Sequence, residues 1–223
     1  RAKQMINDIK GILFDMDGTV LDSEGLFDES QLLLLKEYSI NASICDLEEF
    51  KGMSYKDFYP LFMKKFNIDS DIDTIRLKLR TYLHQSMKNN LKFIDGFEYF
   101  YNSFIKDNEL KVGLVTNTTR LTYEKIRTYI NIDDYFSFVL TVNESKKPKP
   151  SPIPYIQAMD SLSLDVKETL IIEDSKTGLE SAIKSKAKVI GITTSLTDSQ
   201  IKNIDNNIIV AKSYSDIGML LKS

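Results

Sequence analysis

The sequence predicts an α/β fold: a parallel core sheet flanked by helices, with a small all-helical insert after the first strand. Three observations predict it. From residue 111 onward, short apolar runs alternate with longer, helically periodic stretches, which is the pattern of a parallel α/β sheet. The short runs are β-branched or aromatic and several end in polar residues, as strands buried on both faces do. Between the first such run and the second lie about ninety residues without a convincing strand, too long a gap for a plain loop inside a compact domain.

Taken in order, Ile12-Leu13-Phe14 is the first strand. Residues 23–38, 55–66 and 71–88 then read as amphipathic helices, which places the insert at residues 23–90 and the core at residues 1–22 and 91–223. A helix over 96–107 leads into a strand over 112–115. Further strands are predicted over 138–140, 170–172, 189–192 and 208–210. Helices over 121–129, 153–162, 178–186 and 213–221 are interleaved with them.

Hydrophobic residues make up 42 % of the chain and charged residues 27 %, an ordinary globular mix that supports a core and argues against disorder. Net charge is −3 and the pI about 5.4, so there is no basic field to hold a nucleic acid backbone. No apolar run approaches the roughly 20 residues that span a bilayer, so no membrane partner is expected. Residues 1–10 lack an apolar secretory stretch. The single cysteine, Cys45, excludes an internal disulfide and fits a reducing compartment. The expected location is the cytoplasm. Arg1 to Gln4 precede the first methionine and carry no part of the reading.

The first strand runs directly into Asp15-Met16-Asp17-Gly18-Thr19. Two carboxylates at the carboxyl end of a buried strand sit where open α/β sheets place their ligands, and Gly18 permits a sharp turn straight afterwards. Alone, such a motif is more often an acidic surface turn. Here it has company. The strand over 112–115 ends in Thr116-Asn117-Thr118, a cluster of hydroxyl and amide donors. Lys147-Pro148-Lys149-Pro150-Ser151-Pro152 forms a rigid lead-in to a helix, and the strand over 170–172 ends in Glu173-Asp174-Ser175, followed by Gly178. Each has an ordinary structural reading: a helix cap, a solvated lysine, an acidic strand terminus. Four such motifs in this order, three of them at strand ends, outweigh coincidence.

Together they resemble the haloacid dehalogenase-like superfamily, more closely its phosphoglycolate phosphatase and β-phosphoglucomutase branch, over nearly the whole chain. The resemblance implies a Rossmann-like core, a helical cap formed by the insert, Mg²⁺ as cofactor, and an aspartyl-phosphate intermediate. It implies Asp15 as nucleophile and metal ligand, with the backbone carbonyl of Asp17 and with Asp174 completing the metal set and Glu173 adjacent. Thr116, Asn117 and Lys147 are then expected to hold the phosphoryl group. Two departures stand out. Ser151 replaces the Asp of Lys-Pro-x-Pro-Asp, which weakens the anchoring of Lys147. Lys186 replaces a Gly after the last motif's helix. Neither removes a catalytic group.

A carboxylate nucleophile is repelled by a phosphate ester unless cations intervene. Asp15, Glu173 and Asp174 bring three negative charges, against which one Mg²⁺ and Lys147 set three positive ones. Mg²⁺ prefers hard oxygen ligands and bridges carboxylate to phosphate, while Thr116 and Asn117 would hold the phosphoryl oxygens in line with Asp15. Asp17 is expected to protonate the leaving alcohol and then to take a proton from the attacking water. Dehalogenase relatives lack this second Asp, because a halide needs no proton, so phosphate chemistry is favoured.

Three functions stay open on the sequence: a phosphatase for a small sugar or related metabolite phosphate, a phosphomutase, and a non-catalytic regulatory member. The intact motif set speaks against the last. Against a mutase, Phe27 stands where that branch has a proton-shuttling His, and Tyr55 stands where it has a phosphate-gripping Arg. A phenyl ring shuttles no proton, and a neutral phenol does not replace a guanidinium fork. Lys51 and Tyr55 are expected to shape selectivity from the cap, Lys51 by one polar contact and Tyr55 by stacking on a sugar ring. His84 and Cys45 read as structural residues of the insert.

Overall fold

The computed structural model describes residues 8–50, 53 and 55–222. The chain divides into two compact units. One joins the segment up to Asp22 to that from Lys92 onward, and the other is Ser23–Leu91.

In the first unit, β1 (Gly11–Phe14) is followed by a tight turn and by β2 (Leu21–Asp22). The second unit holds α1 (Glu24–Glu37), α2 (Tyr55–Lys65) and α3 (Ile72–Asn90). The chain then returns through β3 (Lys92–Phe93), which pairs antiparallel with β2, and α4 (Phe97–Phe100). There follow β4 (Lys111–Val115), α5 (Arg120–Tyr129), β5 (Phe138–Leu140), α6 (Ile153–Ser161) and β6 (Thr169–Glu173). The chain closes with α7 (Lys176–Lys184), β7 (Lys188–Ile192), α8 (Asp198–Ile204), β8 (Ile209–Ala211) and α9 (Tyr214–Lys222).

Six strands form one parallel sheet in the order β5-β4-β1-β6-β7-β8, at the six apolar runs of the sequence. Successive side chains alternate between faces, and both faces of β1 are covered. Leu13 joins an aliphatic cluster with Val115, Ile171, Leu179 and Ala182 on one side. Phe14 joins an aromatic cluster on the other, its ring 5.6 Å from Phe97 and 5.8 Å from Phe136. Burial on both faces explains why these strands read as unbroken apolar runs and not as alternating ones.

The helical unit has its own core of Leu34, Leu35, Phe58, Phe62, Ile75 and Leu79. Phe27 packs against it, 5.6 Å from Phe58 between ring centroids. Cys45, read from the sequence as a packing residue, is exposed; Leu47 and Phe50 of the same short 3₁₀ segment are the buried ones. The short ribbon β2–β3 and α8 escaped the sequence pattern, and the helix expected over 96–107 is α4 with a π-helical continuation over Tyr101–Ile105. Helix α8 carries a local signal, a capping box in which Thr197 and Gln200 satisfy each other's backbone N–H.

Candidate active site

Strand register sets the site. Phe14 pairs with Leu114 on one side and Ile172 on the other, so the carboxyl ends of β4, β1 and β6 lie level. Asp15 leaves β1 with its N–H bonded to the Ile172 carbonyl at 3.1 Å. Thr116 directly follows β4, and Glu173 ends β6 with Asp174 directly after it. All four are buried: Asp15 is 8 % exposed, Thr116 3 %, Glu173 0 % and Asp174 2 %.

The turn after Asp15 is closed by Gly18 N–H to the Leu21 carbonyl at 2.8 Å and Val20 N–H to the Met16 carbonyl at 2.9 Å. Gly18 adopts φ 81°, and a Cβ there would lie 2.1 Å from Asp174 Oδ2. Glycine is therefore required twice over, by the left-handed backbone and by the closeness of the carboxylate. The neighbouring Thr19 is fully buried, and its hydroxyl donates to Asp174 Oδ1 at 3.0 Å. Ser195, from the loop after β7, donates to Asp174 Oδ2. Tyr214 of α9 donates to the Thr19 carbonyl at 2.5 Å.

The lysine at this site is Lys149 and not Lys147. Lys149 is 5 % exposed, and its ammonium donates to Asp15 Oδ1 at 2.7 Å, Glu173 Oε1 at 2.6 Å and the Val115 carbonyl at 2.8 Å. Those three bonds use all three of its donors. Lys147 is exposed. The segment contains two overlapping Lys-Pro-x-Pro frames, starting at Lys147 and at Lys149, and the sequence reading took the first. Gln157 holds the earlier part of the segment outward, accepting from the Lys146 N–H at 2.9 Å. Asn117 grips the main chain of Lys149. In the second frame Ser151 no longer stands at the departure from the family pattern, and Ile153 does. The other departure, Lys186, sits just past the end of α7 at φ 69°, the left-handed position that glycine favours.

Tyr155 of α6 completes the lysine's surroundings. Its hydroxyl donates to Glu173 Oε1 at 2.6 Å, and its ring centroid lies 4.9 Å from Lys149 Nζ. Sequence reasoning missed Tyr155 and Ser195, and named Thr118 in the donor cluster without a role of its own.

Electrostatics follow from this crowding. Burial, then Glu173 and Asp174, push the Asp15 carboxyl well above the usual carboxylate range, against the pull of Lys149. Burial and Glu173 raise Asp174 to about 6, against hydrogen bonds from Ser195 and Thr19. Burial works against the charge of Lys149, but Asp15 and Glu173 outweigh it and its pKa is raised. One ammonium bonds two of the three buried carboxyl groups, Asp15 and Glu173, and the third, Asp174, is held by hydroxyls.

Asp15, Glu173 and Asp174 each offer an oxygen, all within 4.8 Å of one another. This hard-oxygen set fits a magnesium-like cation. Each of the three also accepts hydrogen bonds within the protein, Asp15 and Glu173 from Lys149 and Asp174 from Thr19 and Ser195. The Asp17 carboxylate stands outside the cluster, where its Oδ2 accepts from Thr118 Oγ1 at 2.8 Å. Thr116 Oγ1 accepts from the Thr118 N–H at 3.0 Å. Lys51 lies outside the described residues, and Tyr55 opens α2 with its backbone.

Comparison with known proteins agrees with this geometry. The sequence model of a family described as haloacid dehalogenase-like hydrolase matches residues 12–192. The chain is 25 % identical over 193 residues to pyrophosphatase PpaX of Oceanobacillus iheyensis, covering 86 % of each protein. It is 23 % identical over 194 residues to the phosphorylated carbohydrates phosphatase of Thermotoga maritima, covering 86 % of this chain and 89 % of that one. Among solved structures, a β-phosphoglucomutase-like protein of Thermotoga maritima shares the fold. It superposes with a TM-score of 0.84 at 21 % identity, over 96 % of this chain and 99 % of the other.

Proposed function

We propose, from the premise that this chain belongs to the haloacid dehalogenase-like hydrolase family, that Asp15 is the nucleophile of a Mg²⁺-dependent phosphatase acting on a small metabolite phosphate. The observation that carries the reading is the Lys149 ammonium bridging Asp15 and Glu173 within a buried carboxylate cluster. A lone buried ion pair gains little, because desolvation offsets its Coulomb attraction. A buried cluster with surplus carboxylate is a functional arrangement and not a stabilising one.

In this mechanism an Asp15 oxygen attacks phosphorus, forming an acyl phosphate as the bond to the ester oxygen breaks. Asp17 gives its proton to the departing alkoxide. Water then attacks the phosphoryl group, Asp17 takes its proton, and inorganic phosphate leaves with Asp15 restored. Thr116 orients the phosphoryl oxygens, and the Lys149 ammonium, held against Asp15, offsets their charge. Asp15 and Asp174 would hold Mg²⁺, with the main-chain oxygen of Asp17 as the family implies, and the bound ion supplies charge neutralisation between carboxylates and phosphate. Lys51 and Tyr55 would contribute selectivity from the helical unit.

Hydrolysis is favoured over phosphoryl return to sugar by Phe27, whose ring is packed on Phe58 and has no proton to move. The relatives are named for different substrates, a pyrophosphatase and a carbohydrate phosphatase, so the test must span both. Phosphate release is measured over sugar phosphates, other metabolite phosphates and pyrophosphate, with Mg²⁺ and with EDTA, for the parent and for Asp15→Asn. Release from a sugar phosphate that EDTA and Asp15→Asn both abolish is expected. Turnover that survives either one overturns the mechanism. Hexose 1-phosphate supplied with catalytic bisphosphate should yield free phosphate in excess of hexose 6-phosphate.

A further inference from the structure

Asn117 stands beside the reacting groups, yet its side chain is turned to the main chain of Lys149. Its Nδ2 donates to the Lys149 carbonyl at 3.2 Å, and its Oδ1 accepts from the Lys149 N–H at 3.0 Å. The two bonds run in opposite directions to one residue, so the amide orientation is fixed: a flipped amide would set oxygen against oxygen and N–H against N–H. Thr116 and Thr118, on either side, each hydrogen-bond within the site.

Lys149 needs such a hold. It lies between β5 and α6 in a segment without regular structure, and a lysine side chain carries about 2 kcal/mol of rotamer freedom. Its ammonium must meet Asp15, Glu173 and the Val115 carbonyl together, at 2.6–2.8 Å. A displacement of about 1 Å at such a centre can cost on the order of a hundredfold in rate. Asn117 extends from the end of β4, whose Val115 carbonyl is itself one of the three acceptors. One strand end thus fixes both the lysine's backbone and one of its targets.

We propose that Asn117 is a positioning residue whose side chain acts on the reaction only through Lys149, and is not a ligand of the phosphoryl group. The proposal rests on the phosphatase reading above. A double-mutant cycle tests it, with kcat/KM for phosphate release and affinity for inorganic phosphate as separate readouts. Asn117→Ala in the parent should lower kcat/KM on the order of a hundredfold. Asn117→Ala added to Lys149→Met should change either readout by less than about twofold, because the group it positions is gone. Asn117→Asp keeps the acceptor for the Lys149 N–H and should fall between parent and Asn117→Ala. Should Lys149→Met fail to fold, Lys149→Gln, which also lacks the ammonium, supplies the background and the same comparison decides. Equal losses from Asn117→Ala with and without Lys149 would overturn the proposal and make Asn117 an independent phosphate ligand. A parent that neither releases nor binds phosphate would sink the phosphatase reading itself, a distinct outcome.

Discussion

Thr118 Oγ1 donates a 2.8 Å hydrogen bond to Asp17 Oδ2, tying the end of β4 to the loop that follows β1. The bond fixes the carboxylate proposed to carry the proton. Thr118→Val, which keeps the shape and removes the donor, should lower kcat about tenfold to a hundredfold with a smaller change in KM. Thr118→Ser should restore most of the loss. Steady-state kinetics decide it, and an unaltered kcat in Thr118→Val removes the role.

Lys149 and Lys147 offer a direct contest between the two Lys-Pro-x-Pro frames. Lys149→Met should lower kcat on the order of 10²–10³-fold, the usual result of deleting one electrostatic donor at a reacting centre. Lys147→Met removes an exposed side chain and should stay within about twofold of the parent. The reverse ranking would return the site to the first frame.

Lys186 holds a left-handed backbone, φ 69°, just past the end of α7. A side chain there costs on the order of 1–2 kcal/mol, part of which glycine returns as chain entropy on unfolding. Lys186→Gly should therefore stabilise the protein by about 0.5–1 kcal/mol, a few degrees or less in Tm for a chain of this length. Calorimetry reads the shift, and a lowered Tm would show that the lysine makes a compensating contact.

Glu144 gives a pH-dependent case. Hydrogen bonds from Arg120, then from Thr141, lower its pKa from 4.5 to about 2. Arg120 Nε and Nη2 each donate at 2.9 Å, and Thr141 donates from its N–H at 2.8 Å and its hydroxyl at 2.6 Å. A depressed carboxylate stabilises the fold in full above its unfolded pKa and loses that contribution as pH falls through its folded one. The contribution should be complete above about pH 5 and decline between 4.5 and 2. Arg120 and Glu144 are 34 % and 39 % exposed, so solvent screening holds the effect to under about 1 kcal/mol. Denaturant midpoints of parent and Glu144→Gln should converge toward acid pH, and a gap independent of pH rejects the linkage.

The strands of the core were legible because burial on both faces leaves an unmistakable apolar run, as at Leu170-Ile171-Ile172. Asp15, Thr116, Glu173 and Asp174 were legible because each directly follows or ends such a run. Their level placement follows from the register of β1 against β4 and β6. Lys149 was not legible. It lies in a loop with no period to read, and the choice between two frames two residues apart is made by Asn117, distant in sequence. The bonds of Asn117 to the main chain of Lys149 had no signal either, since a strand-end amide has no mark of where it turns. Tyr155 reads as one more core aromatic on an amphipathic helix until its hydroxyl is seen on Glu173. Ser195 belongs to a loop whose path to Asp174 is set by the sheet order. The ribbon β2–β3 is two residues per strand, too short to show alternation.

That ribbon has a consequence for how such proteins diversify. Leu21 pairs with Phe93 and Asp22 with Lys92, and the Asp22 carboxylate lies 3.6 Å from the Lys92 ammonium. The chain's departure point and its return point are thus zipped together within the sheet-bearing unit. Everything from Ser23 to Leu91 hangs as a closed loop on a fastened clasp. Lengthening a loop whose ends are already joined adds little entropy cost, about 0.6 kcal/mol per doubling. An insert of another length can hang on the same clasp at little cost to the closure of the chain.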